Sequence, residues 1–441
     1  MASVNPVATL DTMNGAAKTV YGKVHTLPPR RGLKLINKVK YDTENTLGNE
    51  FSDMVWLTGE NGFTAGGTGS SEITLNEPET ALSEPTSLQA NSIHLRSAVT
   101  IETMSRIASK GGAESMEPAV ESLLRNQRSA FQRRLEWTMR GGGTPLATMD
   151  ASSAVTTTLT AVIDRDSWCA GPWIGSKNMS IDAYNSTTKL NTRADLKVST
   201  INVATSDTTR TVVLTGNADD ITAILAVGTN GSGVNLYYKG WFGNDGTGLR
   251  GVANLSTGSY LGISADTYPD VWNGSQITWS PQYNSGGTEF TWKLLQKGLE
   301  QAADRGLEGD VCVEVPNHVW TTLNSSLDAL RTFDSSFSVS KVEMGHDQDA
   351  ITYHAISGKA AVYPTRYIND GDVLAYPNPA DEADSFVTAS RMGSSDIVTN
   401  FPGEESGRMF KLRENKNSVE YRAFSDQSFY LPAPRQCVIW T

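Results

Sequence analysis

Between Ser115 and the run Gly141-Gly142-Gly143 the chain carries one apolar stripe, Met116, Val120, Leu123, Leu124, Phe131 and Leu135, recurring mostly every three or four residues. That spacing places the apolar side chains on one face of an α-helix, with Ser115 as its N-cap and the glycines as its stop. Pro118 is tolerated because it falls in the first turn, where its missing N–H has no intrahelical partner. About 25 residues at 1.5 Å rise make a rod about 40 Å long, suited to backing a flat domain. Arg125, Arg128, Arg133 and Arg134 lie at or beside its polar face.

The rest of the chain has another texture. From Ala154 to Leu225 it carries short β-branched runs such as Val155-Thr156-Thr157-Thr158-Leu159-Thr160 and Thr211-Val212-Val213-Leu214-Thr215, separated by polar turns. These read as a small, sequence-contiguous β-barrel or sandwich inserted into the fold. A second helix is expected over Phe290 to Arg305. The strand Val311 to Val315 then leads through Pro316 into a third helix with Val319, Trp320, Leu323, Leu327 and Leu330 on one side. Strands near Ala350 to Ile356, Ala360 to Val362 and Val373 to Tyr376 follow, with a turn at Asp370-Gly371. The mixture is α+β, and 441 residues suffice for two or three domains with real cores.

Charge falls in blocks. From Lys18 to Lys40 every charged residue is basic: Lys18, Lys23, Arg30, Arg31, Lys34, Lys38 and Lys40. From Tyr41 to Leu95 there is no Lys or Arg, and Glu72, Glu77, Glu79 and Glu84 belong to a purely acidic set. Such blocks are solvated tails or one half of a contact with a basic surface. Within the acidic block, Gly59-Glu60-Asn61-Gly62 and the stretch Ala65 to Ser71 are turn-rich, and Glu72-Ile73-Thr74-Leu75-Asn76 alternates like a strand. This predicts a long two-stranded loop, a shape only marginally stable in water until it packs against something.

Signals for chemistry are weak. Gly246-Thr247-Gly248-Leu249-Arg250-Gly251 satisfies GxGxxG, yet Asn244-Asp245 precedes it where a dinucleotide site needs a strand. Ser338-Val339-Ser340-Lys341 has the SxxK spacing without any companion motif. His346, flanked by Asp347 and Asp349, reads as a solvated turn before a metal site, and Trp168, Trp173, Trp241, Trp272, Trp279 and Trp292 read as packing before sugar binding. Cys169, Cys312 and Cys437 are too few and too scattered for a disulfide framework and are expected as buried free thiols. A net charge of −11 argues against a dedicated nucleic-acid binder. No signal-peptide core or 20-residue apolar span is found, so a cytoplasmic origin and no membrane are expected. No catalytic, cofactor-binding or metal-binding residue is assigned.

The run Gly248-Leu249-Arg250-Gly251-Val252, then Tyr260 to Pro269 and Trp272, is similar to a stretch that follows an inserted β domain in many phage shell subunits. Val311 to Trp320 is similar to their strand, turn and helix, and Arg435-Gln436-Cys437-Val438-Ile439-Trp440-Thr441 to their closing strand. With the order of elements, the chain resembles tailed-bacteriophage major capsid proteins of the Hong Kong ninety-seven type. The resemblance implies an N-terminal arm over 1–50, an extended loop over 51–95, and a spine helix with peripheral domain over 96–153. It further implies an inserted β-rich domain over 154–240, a peripheral return over 241–289, an axial domain over 290–400 and C-terminal return strands over 401–441. The implied function is non-enzymatic: hexamers and pentamers forming an icosahedral virion head around double-stranded DNA held without sequence-specific binding. Scaffolding, portal and decoration proteins are the implied partners, and the host bacterial cytoplasm the site of assembly. Some members weld their shells through a loop Lys; this loop has none, so that crosslink is not expected. The intersubunit contacts expected are Glu72, Glu77, Glu79 and Glu84 on Arg125, Arg128, Arg133, Arg134 or the Arg30-Arg31 pair of adjacent subunits. The rival readings are an encapsulin-type compartment shell, which shares the fold, and a phage tail adhesin or depolymerase, which leaves the long helix unexplained.

Overall fold

The computed structural model describes residues 35–42, 46–47, 50–66, 72–102, 113–202, 209–243, 247–331, 346–347, 350–379, 390–398, 411–412 and 416–441. Its architecture is α+β, built around the long helix, which runs from Ala113 to Gly141. Ser115 is therefore inside the first turn and not its cap, because Ala113 and Glu114 already favour helix. Gly143, at φ 77°, takes the left-handed step that ends the helix region. Phe131 and Leu135 are buried as the stripe requires; the side chains of Met116, Val120, Leu123 and Leu124 lie outside the described residues. The C-terminal half of the helix is a hub: the segments 35–38, 170–173 and 249–253 and the strand Ser418–Tyr430 all pack on it.

Three large sheets surround this hub. Residues 147–238 supply one, in the order 196–202, 209–215, 158–164, 147–155, 235–238, 180–185. Pairing of Leu196 and Lys197 with Ile181 and Ser180 joins its two ends, so six strands close into a barrel with Thr188–Lys189 as an appendage. Closure removes exposed edges, which explains how short, polar-faced strands hold together. The barrel begins at Ala147, ahead of the expected boundary at 154. The β-branched run Val155 to Thr160 is not one strand. It turns back at Thr156, φ 51°, so that Val155 faces Thr158 across a two-residue loop.

A second seven-stranded sheet orders residues 275–277, 438–440, 373–377, 311–315, 359–364, 350–354 and 346–347. The helices Trp292–Asp304 and Asn317–Arg331 accompany it, and Val311, Val313, Val315, Leu295, Leu299, Val319 and Trp440 share one core. His346 pairs with Ile351 and Asp347 with Ala350 in a short strand, and residues 348–349, where the expected turn falls, lie outside the described residues. The third sheet is assembled from distant pieces. Ser418–Tyr430 pairs along most of its length with Ser92–Thr100 on one side and with Ser390–Val398 on the other, and Lys40–Asp42 adds in parallel beyond. Residues 390–398 thus lie in a different sheet from the strands 311–315, 350–354, 359–364 and 373–377.

Small details settle two motif questions. A methyl group at Gly248 would lie 2.5 Å from the Gly142 nitrogen, so this glycine of the GxGxxG run lets the helix Leu249–Ala253 approach the end of the long helix. Trp168, Trp173 and Trp272 are fully buried core residues, and all three cysteines are buried free thiols.

His318 sits between Trp279, stacked at 6.4 Å, and Tyr283 at 5.3 Å, and neither ring nitrogen has a hydrogen-bond partner among the described residues. Burial, aided by Arg165 and Arg210, pushes its pKa down to about 4. The folded state therefore refuses a proton that the unfolded chain accepts below about pH 6.5, and stability falls as pH drops from there. At 1.36 kcal/mol per unit the full loss by pH 4 is about 3 kcal/mol. His318→Phe, followed by urea unfolding from pH 7 to pH 4.5, is expected to lose less stability than the parent over that range; parallel curves would refute the assignment.

Candidate intersubunit contact surface

The strand Glu50–Trp56 pairs antiparallel with Ser83–Gln89, from Glu50 opposite Gln89 to Trp56 opposite Ser83. Its base is tied to the body. Phe51 and Thr86 are buried, Ser87 N–H donates to the Leu261 carbonyl at 2.9 Å, and Tyr430 Oη–H donates to Asp53 at 3.2 Å. Beyond the ladder the two sides stay joined by Leu57 N–H to the Leu82 carbonyl at 2.8 Å and Asn61 N–H to the Glu79 carbonyl at 3.1 Å. Glu72 to Asn76 is not a strand. Asn76 is held instead by its N–H on Thr64 Oγ1 and its side chain on the Phe63 carbonyl, both at 2.8 Å. With both faces of this tip in solvent, alternating polarity selects neither, and the tip is shaped by local side-chain bonds.

The hairpin's acidic residues divide into two kinds. Glu72, Glu77 and Glu79 are exposed and form no ion pair with another described residue. Glu84 is half-buried and accepts from Tyr268 Oη–H at 3.2 Å in its own chain. The arginines divide similarly. Arg128 is exposed on the long helix. Arg133 donates to the Ser129 and Ile174 carbonyls, and Arg134 stacks 3.0 Å above the Tyr238 ring and 5.1 Å from that of Trp241. Burial lowers the Arg134 pKa, partly offset by Tyr238. Both of these side chains hold the barrel onto the helix of the same chain. Arg30 and Arg31, and the side chain of Arg125, lie outside the described residues. The fold brings none of the four glutamates onto any of the described arginines.

A stronger feature of the same hairpin is apolar. Of the nine large apolar side chains exposed among the described residues, six sit on it: Met54, Trp56, Phe63, Ile73, Leu75 and Leu82, at 44% to 80% exposure. Single exposed apolar residues are ordinary, but this concentration on one thin element is not. The sequence signal was present in the apolar run Met54-Val55-Trp56-Leu57 and in Phe63 and Leu75, each of the last two standing singly in a turn-rich, acidic stretch.

A cavity of about 450 Å³ lies where the barrel meets the second sheet, lined by Asp150, Asp164, Asp166, Arg250, Trp279, Asn369 and Asp372 among others. Three of its carboxylates are engaged: Asp164 accepts from the Asp166 N–H, Asp166 accepts from Tyr283 at 2.7 Å and from Asn284, and Asp372 pairs with Arg250. Among the described residues no group of three or more His, Cys, Asp or Glu gathers to hold a metal ion, and no helix is long and apolar enough to cross a membrane.

No family model and no curated protein matches the chain. Among solved structures it is similar to a chain of the cyanophage A-1(L) capsid asymmetric unit, at 9% identity over 96% of this chain and 94% of that one, with a TM-score of 0.49. It is similar also to the capsid of Myoviridae phage XM1, at 8% identity over 99% of both chains and a TM-score of 0.44. The virus-like particle from Pyrococcus furiosus matches at 12% identity over 38% of this chain and 54% of that one, with a TM-score of 0.22.

Proposed function

We propose that the chain is the major subunit of a phage head, working through contact surfaces and not through catalysis. Its projecting hairpin docks on a second copy of the chain, and the closed arrangement of such contacts, as hexamers and pentamers, encloses double-stranded DNA. The observation that carries this reading is the hairpin itself: anchored at its base, solvated beyond, and holding six exposed large apolar side chains beside three unpaired glutamates. An element with that composition is marginal alone and becomes stable by burial against a neighbour. The basic residues Lys18, Lys23, Arg30, Arg31 and Lys34 and the exposed Arg128 supply the opposite charge on the receiving copy. A net charge of −11 suits a container that must release its DNA, since a basic wall would retain it. The likeness of element order to head proteins of the Hong Kong ninety-seven type supports the same reading.

Negative-stain electron microscopy of the expressed chain at low and high salt tests it. Closed particles or six-fold capsomers are expected, whereas elongated trimers that bind glycans would replace this reading with the tail-adhesin one. The charge contribution is tested by Glu72→Lys, Glu77→Lys and Glu79→Lys together. Each exposed pair contributes about 0.2–1 kcal/mol, so the triple variant is expected to raise the assembly threshold modestly at low salt and little at high salt. Equal thresholds at every ionic strength would remove the glutamates from the contact.

A further inference from the structure

The long helix carries a charge that faces inward. Glu136 is 0% exposed and Arg140, one turn on, is 1% exposed; the two form an ion pair. Arg140 also forks onto Glu314 of the second sheet, Nη2 to Oε1 at 2.6 Å and Nε to Oε2, and Tyr376 Oη–H donates to the same Oε1 at 2.9 Å. Burial alone would lower the Arg140 pKa, but the Glu136 and Glu314 carboxylates outweigh it and hold it well above its ordinary value. Glu136 completes its shell with the backbone of a distant segment. The N–H of Leu35 donates to Oε1 at 3.0 Å and that of Ile36 to Oε2 at 2.8 Å.

These two N–H groups open the single turn Leu35–Lys38, and first-turn N–H groups have no partner within their own helix. The segment that follows is held at further points. Leu35, Ile36 and Val39 are buried, Lys38 lies 3.8 Å above the Tyr363 ring, and Lys40–Asp42 pairs with Ser390–Met392. Residues 35–42 thus form a strap between the hub helix and two sheets. Hydrogen bonds join its backbone to Glu136, an ion pair joins Glu136 to Arg140, and hydrogen bonds continue from Arg140 through Glu314 to Tyr376.

We propose that Glu136 is a clasp that couples docking of the strap 35–42 to the joint between the long helix and the sheet carrying Glu314. The coupling follows from sharing. Glu136 Oε1 lies against the Arg140 guanidinium while accepting the Leu35 N–H, and Arg140 divides its charge between the ion pair with Glu136 and the hydrogen-bonded fork on Glu314. In a dry site neither carboxylate turns to water when its partner leaves, so a shift of the helix that takes Arg140 off Glu314 redistributes the guanidinium on Glu136 and perturbs the two strap N–H bonds. The sequence hid this role because Arg133-Arg134-Leu135-Glu136 reads as a solvated charged stretch.

Hydrogen–deuterium exchange at single-residue resolution on the full chain tests the clasp. In the parent protein the Leu35 and Ile36 amides are expected to be as protected as those of Val311–Val315, although first-turn amides ordinarily exchange fast; open-turn rates at both would overturn the proposal without any variant. Glu136→Gln, which keeps one acceptor, is expected to speed exchange at Leu35 and Ile36 at least tenfold while residues 126–134 of the helix hold their rates. Unchanged exchange would show that apolar burial alone holds the strap. The coupling itself is read in Glu314→Gln, which touches neither amide. A changed rate at Leu35 and Ile36 supports a clasp tied to the joint, and an unaltered rate reduces Glu136 to a local cap.

Discussion

Arg140→Met is expected to cost the subunit about 3–5 kcal/mol, the penalty found when one partner of a buried charge cluster is removed and the others stay. The reason lies in what is left behind. Glu136 and Glu314 are both essentially inaccessible to water, and without the guanidinium they face each other's charge across the vacated space. Glu136 retains the Leu35 and Ile36 N–H groups, and Glu314 retains only the Tyr376 hydroxyl among the described residues. Adding Glu314→Leu should recover part of the loss, because the one remaining charge is the one with backbone donors. Urea midpoints for the parent and both variants at pH 7 measure this. A single variant within about 0.5 kcal/mol of the parent, the range of ordinary surface changes, would mean that the cluster is not the structural joint described.

What the chain revealed before its fold was known follows the range of the forces involved. The long helix, the helices near 292–304 and 317–331 and the strand Val311–Val315 are local, and each was legible from periodicity and its punctuation. The third sheet was not. Its central strand Ser418–Tyr430 pairs with Ser92–Thr100 more than 300 positions away, and alternation within a strand says nothing about which partner it takes. Closure of the barrel depends likewise on the pairing of Leu196 with Ile181. At the contact surface, charge sign was legible but its destination was not. Arg133 and Arg134 look identical to Arg128 in sequence, and only the packing of Tyr238, Trp241 and Ile174 against the helix turns the first two inward.

Replacing Trp56, Phe63 and Leu75 together by serine is expected to leave the subunit folded and to prevent its assembly. These side chains are 66%, 80% and 78% exposed, so their removal takes little from the subunit's own core. In an assembled contact the sum is different. Full burial of a large apolar side chain contributes about 1.5–3 kcal/mol, so half burial of three amounts to about 2–4 kcal/mol per docked hairpin. That corresponds to about thirtyfold to a thousandfold in the dissociation constant of each contact. The three exposed glutamates, at about 0.2–1 kcal/mol per pair, contribute less even together. Salt separates the two contributions. It screens exposed charges beyond about 10 Å at 0.1 M and beyond about 3 Å at 1 M and leaves apolar burial intact, so the serine variant should fail at low and high salt alike, unlike the charge-reversed one. Static light scattering against concentration, with circular dichroism as the check on folding, reads both. Assembly of the serine variant at the parent's threshold would place the apolar tip outside the contact and leave the basic arm and Arg128 as the surface to search.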